Sequence, residues 1–227
     1  MKNLVYEPVS VKVWGDFACF TRPEMKVERV SYDCMTPSAA RGILEAIFWK
    51  PEFRWVIREI HVLKPIRYFS ILRNEVKSRA SLRSAENWLK QSQSDGARNG
   101  YFADEDRTQR HTLALRDIAY VIYADVALHP HATDDPAKYR DQFRRRVANG
   151  QCCSTPYFGV REFPAFFREV SETDTPIAFY ADIGMMLWDI AYISDGTARG
   201  NPLFFHAQLD NGVLRIPTPE FMQQEAQ

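Results

Sequence analysis

The chain has 227 residues, of which 45% are hydrophobic, and its 29 Lys and Arg balance 29 Asp and Glu. It is long enough for one large domain, or one with a smaller companion, and apolar enough to exclude wholesale disorder. The neutral total hides an asymmetry: residues 1–160 carry 25 basic against 19 acidic side chains and residues 161–227 carry 4 against 10, so a basic body suited to a polyanion precedes an acidic tail.

The opening "MKNLVYEPVSVKVWGDF" lacks the apolar stretch of a signal peptide, and no apolar run reaches the roughly 18 residues of a membrane helix. A cytoplasmic protein without a membrane segment is expected. Residues 4–20 alternate apolar and polar and are rich in Val and aromatics, which predicts a strand. After the loop "TRPEMKVERVSYDCM", Thr36 is placed to cap a helix that has Pro37 at its first position. Ala40, Ile43, Leu44, Ile47 and Phe48 form its apolar face, and Pro51 ends it.

"FRWVIREIHVL" and "IRYFSILRNEV" are predicted strands parted by Lys64-Pro65. Residues 77–110 are polar and rich in Ser and Arg. They read as a mobile excursion, helical around Leu82–Leu89. "HTLALRDIAYVIYADVAL" returns to strand, Asp134-Asp135-Pro136 opens a second core helix, and Asn149-Gly150 stops it. Residues 177–216 predict short strands, with turns at Asp195-Gly196 and Asn211-Gly212.

Strand, helix, strand, strand, helix, strand is the pattern of ferredoxin-like domains, which include many RNA binders. The expected fold is therefore α+β: a ferredoxin-like (RRM-like) N-terminal domain over residues 1–168 with an elaborated antiparallel sheet. A small β-rich part over residues 169–227 follows.

Familiar site chemistries find little support. Cys19, Cys34, Cys152 and Cys153 lack paired CxxC spacing and read as reduced thiols, mostly buried. His129 and His131 of "HPH" lie near Asp134 and Asp135, but a solvated loop before a helix accounts for them, and no HExxH, EF-hand or deaminase spacing exists. No phosphate loop or G-x-S-x-G elbow occurs either. No metal and no cofactor is expected.

Basic clusters carry more signal. Lys64, Arg67, Arg73, Lys77, Arg79 and Arg83 face a single acid, Glu75, in residues 64–83. In the helix "AKYRDQFRRRV", Tyr139, Phe143 and Val147 recur every four residues and should face the core. Lys138 and Arg145 then share an exposed face flanked by Arg140 and Arg144, with Arg146 following, a face suited to phosphates. In "PYFGVREFPAFF", Gly159 permits close backbone approach to a partner, and Arg161 follows two positions later.

Three segments, "VWGDFACFTRPE", "TPSAARGILEAIFWKP" with the "LKPI" beyond it, and "PYFGVREFPAFF", together resemble the fifth Cas family of CRISPR systems, Dvulg (d) subtype, type I-C. The resemblance implies a RAMP-superfamily protein that cleaves repeat hairpins of precursor CRISPR RNA without metal and stays with the crRNA in the interference complex. Such cleavage deprotonates a 2′-hydroxyl, stabilises charge on the phosphorane and protonates the 5′-oxygen. The family pattern uses a tyrosine at the end of the first helix and a lysine-histidine pair early in the second. Here those positions are Phe48 and Ala137-Lys138. Phe48 can line the site but cannot be acid or base.

Lys138 is thus the expected catalytic residue, Tyr139 the second candidate and His111 a third. The expected RNA-binding residues are Arg67, Arg73, Lys77, Arg79, Arg144, Arg145, Arg146 and Arg161. The expected partners are the precursor repeat hairpin, the mature crRNA and other subunits of a type I-C complex. The basic faces also admit double-stranded DNA. Two alternatives stand beside the nuclease: a non-catalytic crRNA-binding subunit, and an unrelated ferredoxin-like nucleic-acid binder.

Overall fold

The computed structural model describes residues 7–79, 81–95, 100, 102–192 and 200–218. In chain order the elements are β1 (Val9–Ala18), β2 (Arg29–Val30), α1 (Pro37–Ile47), β3 (Phe53–Val62), β4 (Tyr68–Val76), α2 (Leu82–Asp95) and β5 (Arg107–Leu128). They continue with α3 (Pro136–Ala148), β6 (Phe166–Arg168), β7 (Ala181–Tyr192), β8 (Gly200–Asp210) and β9 (Val213–Arg215). The chain divides into two units, residues 1–69 with 113–227, and residues 70–112.

The larger unit is α+β, built on one antiparallel sheet in the order β6-β1-β5-β3-β9-β8-β7. Alternation fixes its register, because a one-residue slip would turn every core side chain outward. Val9, Val11 and Val13 of β1 are all buried, and Val13 lies opposite both Tyr120 of β5 and Phe167 of β6. Ile60 of β3 pairs with Ile122 on one side and with Leu214 of β9 on the other. The C-terminal strands therefore extend the same sheet.

Both core helices start where local chemistry dictates. Thr36 Oγ1 accepts from Ala39 N at 3.3 Å at the start of α1, and Asp135 Oδ1 accepts from Ala137 N at 2.8 Å at the start of α3. Ala40, Ile43, Leu44 and Ile47 of α1 and Tyr139, Phe143 and Val147 of α3 are buried, as their spacing predicts. Trp55 of β3 joins them, edge-on to Phe143 at 4.8 Å between ring centroids and donating from Nε1 to Phe48 O at 3.0 Å.

Two expectations need correction. Residues 177–216 form strands of 12 and 11 residues, β7 and β8, where short strands were predicted. The turn at Asn211-Gly212 is present, with φ of 52° and 75°, whereas Asp195-Gly196 lies outside the described residues. Cys19 and Cys34 are buried, but Cys152 and Cys153 are exposed, so only half the thiols act as core.

The smaller unit holds residues 70–76 of β4 and 107–112 of β5, with α2 between them in sequence. Lys77 N donates to Asp106 O at 2.8 Å, and Arg110 pairs with Glu75 at 3.5 Å. No residue of α2 with a described side chain is buried; Leu82 is 86% exposed.

Candidate RNA-cleavage site

Phe48, the first residue past α1, has an extended backbone and is 2% exposed. Its ring packs on Phe53 at 5.6 Å, tilted by 32°, Phe53 packs on Tyr139 at 5.0 Å, and the Arg146 guanidinium sits 5.5 Å from the Phe48 centroid. Packing explains Phe48 completely. Beyond it the turn formed by Trp49, Lys50, Pro51 and Glu52 projects, with the Trp49 ring about half exposed.

The loop before α3 is tied to that turn. His129 N donates to Glu52 O at 2.9 Å, and His131 Nε2 lies 3.1 Å from Pro51 O. The two imidazoles are parallel within 6°, their centroids 5.7 Å apart. In the first turn of α3, Lys138 Nζ donates to Asp134 Oδ2 at 2.7 Å. That bond holds the Asp134 carboxyl below its ordinary range and lifts the Lys138 ammonium above its own. Lys50 adds a second positive charge acting on Asp134.

Tyr139 points inward as its spacing predicts, 1% exposed. Burial, with the nearby Glu52 and Asp134 carboxylates, raises its phenol above the ordinary value. Asp134 is close enough to influence the hydroxyl without completing a hydrogen bond. Tyr139 Oη and Glu52 Oε2 are both buried polar atoms without a hydrogen-bond partner, an arrangement that costs stability and needs a reason. The turn, the loop and the start of α3 thus gather two imidazoles, two cations and two carboxylates. Such a set can transfer protons and hold a phosphate. Among the described residues no group of three or more His, Cys, Asp or Glu is arranged to hold a metal.

Sequence reasoning reached Lys138, Tyr139 and Phe48, and treated the histidines only as a metal candidate or a loop. It missed Lys50 and Glu52. The segments lie about 80 residues apart, so no motif spacing could have joined them. His111 is exposed on β5 in the smaller unit, among residues 70–112.

The basic residues fall into different environments. Arg144 and Arg145 are exposed, Arg144 3.6 Å from Asp141. Arg146 turns inward and donates from Nη1 to Ile47 O at 3.1 Å, beside Cys153 Sγ. Arg140 does not flank an exposed face: it is 4% exposed and donates to the Glu7 carbonyl. Arg67 is exposed, 3.6 Å from Asp117, which also accepts from Lys64 at 2.5 Å. Arg73, Lys77 and Arg79 belong to the smaller unit, with Lys77 and Arg79 exposed. Arg161 is exposed in the loop before β6. Gly159 does serve a close approach, but an internal one: at φ 78° a Cβ there would lie 2.1 Å from Cys19 O.

The chain has relatives. A curated protein of Thermus thermophilus named "CRISPR pre-crRNA endoribonuclease Cas5d" is 44% identical over 95% of this chain and 93% of its own. A second of the same name, from Mannheimia succiniciproducens, is 44% identical over 92% of this chain and 94% of its own. A solved structure titled "Crystal Structure of CRISPR-associated Protein" has the same fold, with a TM-score of 0.64 at 21% identity over 94% of this chain and 93% of that one. The family model described as "CRISPR-associated protein (Cas_Cas5)", of the Cas5d type, matches residues 9–217. The chain belongs to the Cas5d family of CRISPR-associated proteins.

Proposed function

We propose that this chain is a metal-independent endoribonuclease that binds the repeat stem-loop of a precursor CRISPR RNA, cleaves it to crRNA and remains with the product in a type I-C interference complex. The observation that carries this reading is the exposed Lys138 ammonium at the start of α3, beside Asp134 and the orphaned Tyr139 hydroxyl, in a chain 44% identical to two named pre-crRNA endoribonucleases. Lys138 stabilises charge on the phosphorane or gives a proton to the 5′-oxygen. Tyr139 packs beneath Lys138 from within the core, and Phe48 supplies packing alone.

The order β6-β1-β5-β3, interrupted in sequence by α1 and α3, supports reading residues 1–168 as a ferredoxin-like, RRM-like domain. Residues 169–227 are then its small β-rich companion. In this reading Arg67, Arg73, Lys77, Arg79, Arg144, Arg145 and Arg161 hold phosphates, and double-stranded DNA competes for the same charges.

The second reading, a crRNA-holding subunit without chemistry, is favoured by the buried ring of Phe48 and by Ala137, which leave two family positions without a proton to move. Incubating the cognate repeat hairpin with wild type and Lys138→Ala in excess EDTA separates the two. Cutting by wild type and its loss in the variant supports the nuclease. Binding without cutting by wild type supports the subunit.

A further inference from the structure

General acid–base catalysis near neutral pH works best through a group whose proton equilibrium lies near the working pH. None of the residues at the three family positions supplies one. Phe48 and Ala137 carry no proton to move, and the Lys138 ammonium is held above its ordinary range by Asp134; the neighbouring Tyr139 phenol is raised by burial. The imidazole is the side chain that titrates in the neutral range.

The chain has five histidines. His61 pairs with Glu59 at 2.9 Å and packs on Tyr123, His206 pairs with Asp182 at 3.0 Å, and His111 belongs to the smaller unit. His129 and His131 border the turn of Lys50, Pro51 and Glu52. His131 is exposed and lies three residues from Asp134, the partner of Lys138, so the Cα atoms of His131 and Asp134 are separated by no more than about 11 Å.

The contact of His131 with Pro51 also decides its tautomer. A carbonyl oxygen only accepts, so the hydrogen bond between His131 Nε2 and Pro51 O requires the proton on Nε2. In the neutral ring the lone pair is then on Nδ1. His129, stacked parallel at 5.7 Å, braces the ring on one face, and its own N–H to Glu52 O pins the loop. An exposed imidazole with one nitrogen anchored, three residues from the aspartate that holds a lysine, is the composition of a base near a phosphate-binding cation.

Resting on the nuclease reading above, we propose that His131 is the general base of the cleavage reaction, replacing through a different loop the histidine that position 138 lacks. Nδ1 takes the proton of the 2′-hydroxyl as the 2′-oxygen forms its bond to phosphorus. The P–O5′ bond breaks, and the 5′-oxygen leaves with a proton from the Lys138 ammonium. The products are a 2′,3′-cyclic phosphate and a 5′-hydroxyl, with no oxidant or reductant involved. The charged and titratable groups of the segments around His131 are Lys50 and Glu52 from the turn, His129 and Asp134 from the loop, and Lys138 from α3.

The test is single-turnover cleavage of the cognate repeat hairpin by wild type, His131→Gln and His131→Gly from pH 5 to 9, with hairpin affinity measured in parallel. Glutamine keeps a donor for Pro51 O but cannot take a proton. The expected result is a fall of about 100-fold or more for His131→Gln at unchanged affinity. The pH–rate profile of His131→Gln should lose a dependence that wild type shows, and added imidazole should partly restore His131→Gly. A His131→Gln that cuts within about threefold of wild type, below the range of general-base effects, or one that loses cleavage only in step with affinity, overturns the assignment and leaves the nuclease reading standing. A wild type that binds but never cuts overturns both.

Discussion

Lys138 Nζ and Asp134 Oδ2 lie 2.7 Å apart, one helical turn from each other, at the solvent-facing start of α3. The bond neutralises the cation that the nuclease reading needs at the phosphate, so RNA must either displace Asp134 or share Lys138 with it. Replacing Asp134 by Asn removes a negative charge from beside Lys138 and frees the ammonium, which on the nuclease reading faces the scissile phosphate. Hairpin affinity should rise, and the slope of log affinity against log salt should steepen by about 0.7–0.9, the increment of one added phosphate contact. Titrations at several salt concentrations check this; weaker or unchanged binding would place Lys138 away from the RNA.

Phe48→Tyr would restore the family's hydroxyl at the end of α1, yet the site is closed to it. The ring is 2% exposed, packed against Phe53 and covered by Arg146. A hydroxyl buried there without a partner costs about 1–3 kcal/mol. The variant should unfold at lower urea concentration and cut no faster than wild type. A gain in cleavage would show that the turn after α1 opens when RNA binds.

Much of this architecture could be read locally. The caps at Thr36 and Asp135, the prolines that follow them and the four-residue recurrence of Tyr139, Phe143 and Val147 are properties of adjacent residues, and the helices start and face inward accordingly. The errors were contacts between distant segments. Arg140 reaches Glu7, 133 residues away, and Arg146 reaches Ile47, 99 residues away. Helical phasing gives a side chain's direction but not the length of its stem or the carbonyl that awaits it. Gly159 was legible as a close approach, yet only the fold identifies Cys19 as what it approaches. The joining of the Pro51 turn to the His131 loop across 80 residues had no signature in the sequence.

The three consecutive arginines of α3 should therefore separate by function. Arg144 and Arg145 are exposed, whereas Arg146 bonds Ile47 O and lies over Phe48. Replacing Arg144 and Arg145 together by Ala should leave the urea midpoint unchanged and reduce the salt slope of hairpin binding by about 1.4–1.8 for two phosphate contacts. Arg146→Ala should do the reverse, costing about 1–3 kcal/mol of stability by leaving a carbonyl and an aromatic face without their cation. Equal effects of the two variants on binding would show that Arg146 swings outward to RNA.

Asp174 anchors the segment between β6 and β7 to β1. Its carboxylate is 3% exposed, accepts from Lys12 Nζ at 2.6 Å and from Ser171 N at 2.9 Å, and pairs with Arg168 at 2.9 Å. Burial alone would raise its pKa, but Lys12 and Ser171 overcome that and hold the carboxyl far below its ordinary range. A carboxyl depressed on folding stabilises the native state at every pH above its unfolded value of about 3.9, and that contribution is lost as pH falls toward the folded value. Asp174→Asn removes the titrating group and leaves Lys12 without its partner, a change expected to cost about 3 kcal/mol at pH 7. Urea midpoints for wild type and Asp174→Asn should be well separated at pH 7, still separated at pH 5, and converge below about pH 4 as the wild type alone loses the bond. Curves that stay parallel down to pH 2.5 would show that the carboxylate contributes nothing that depends on its charge.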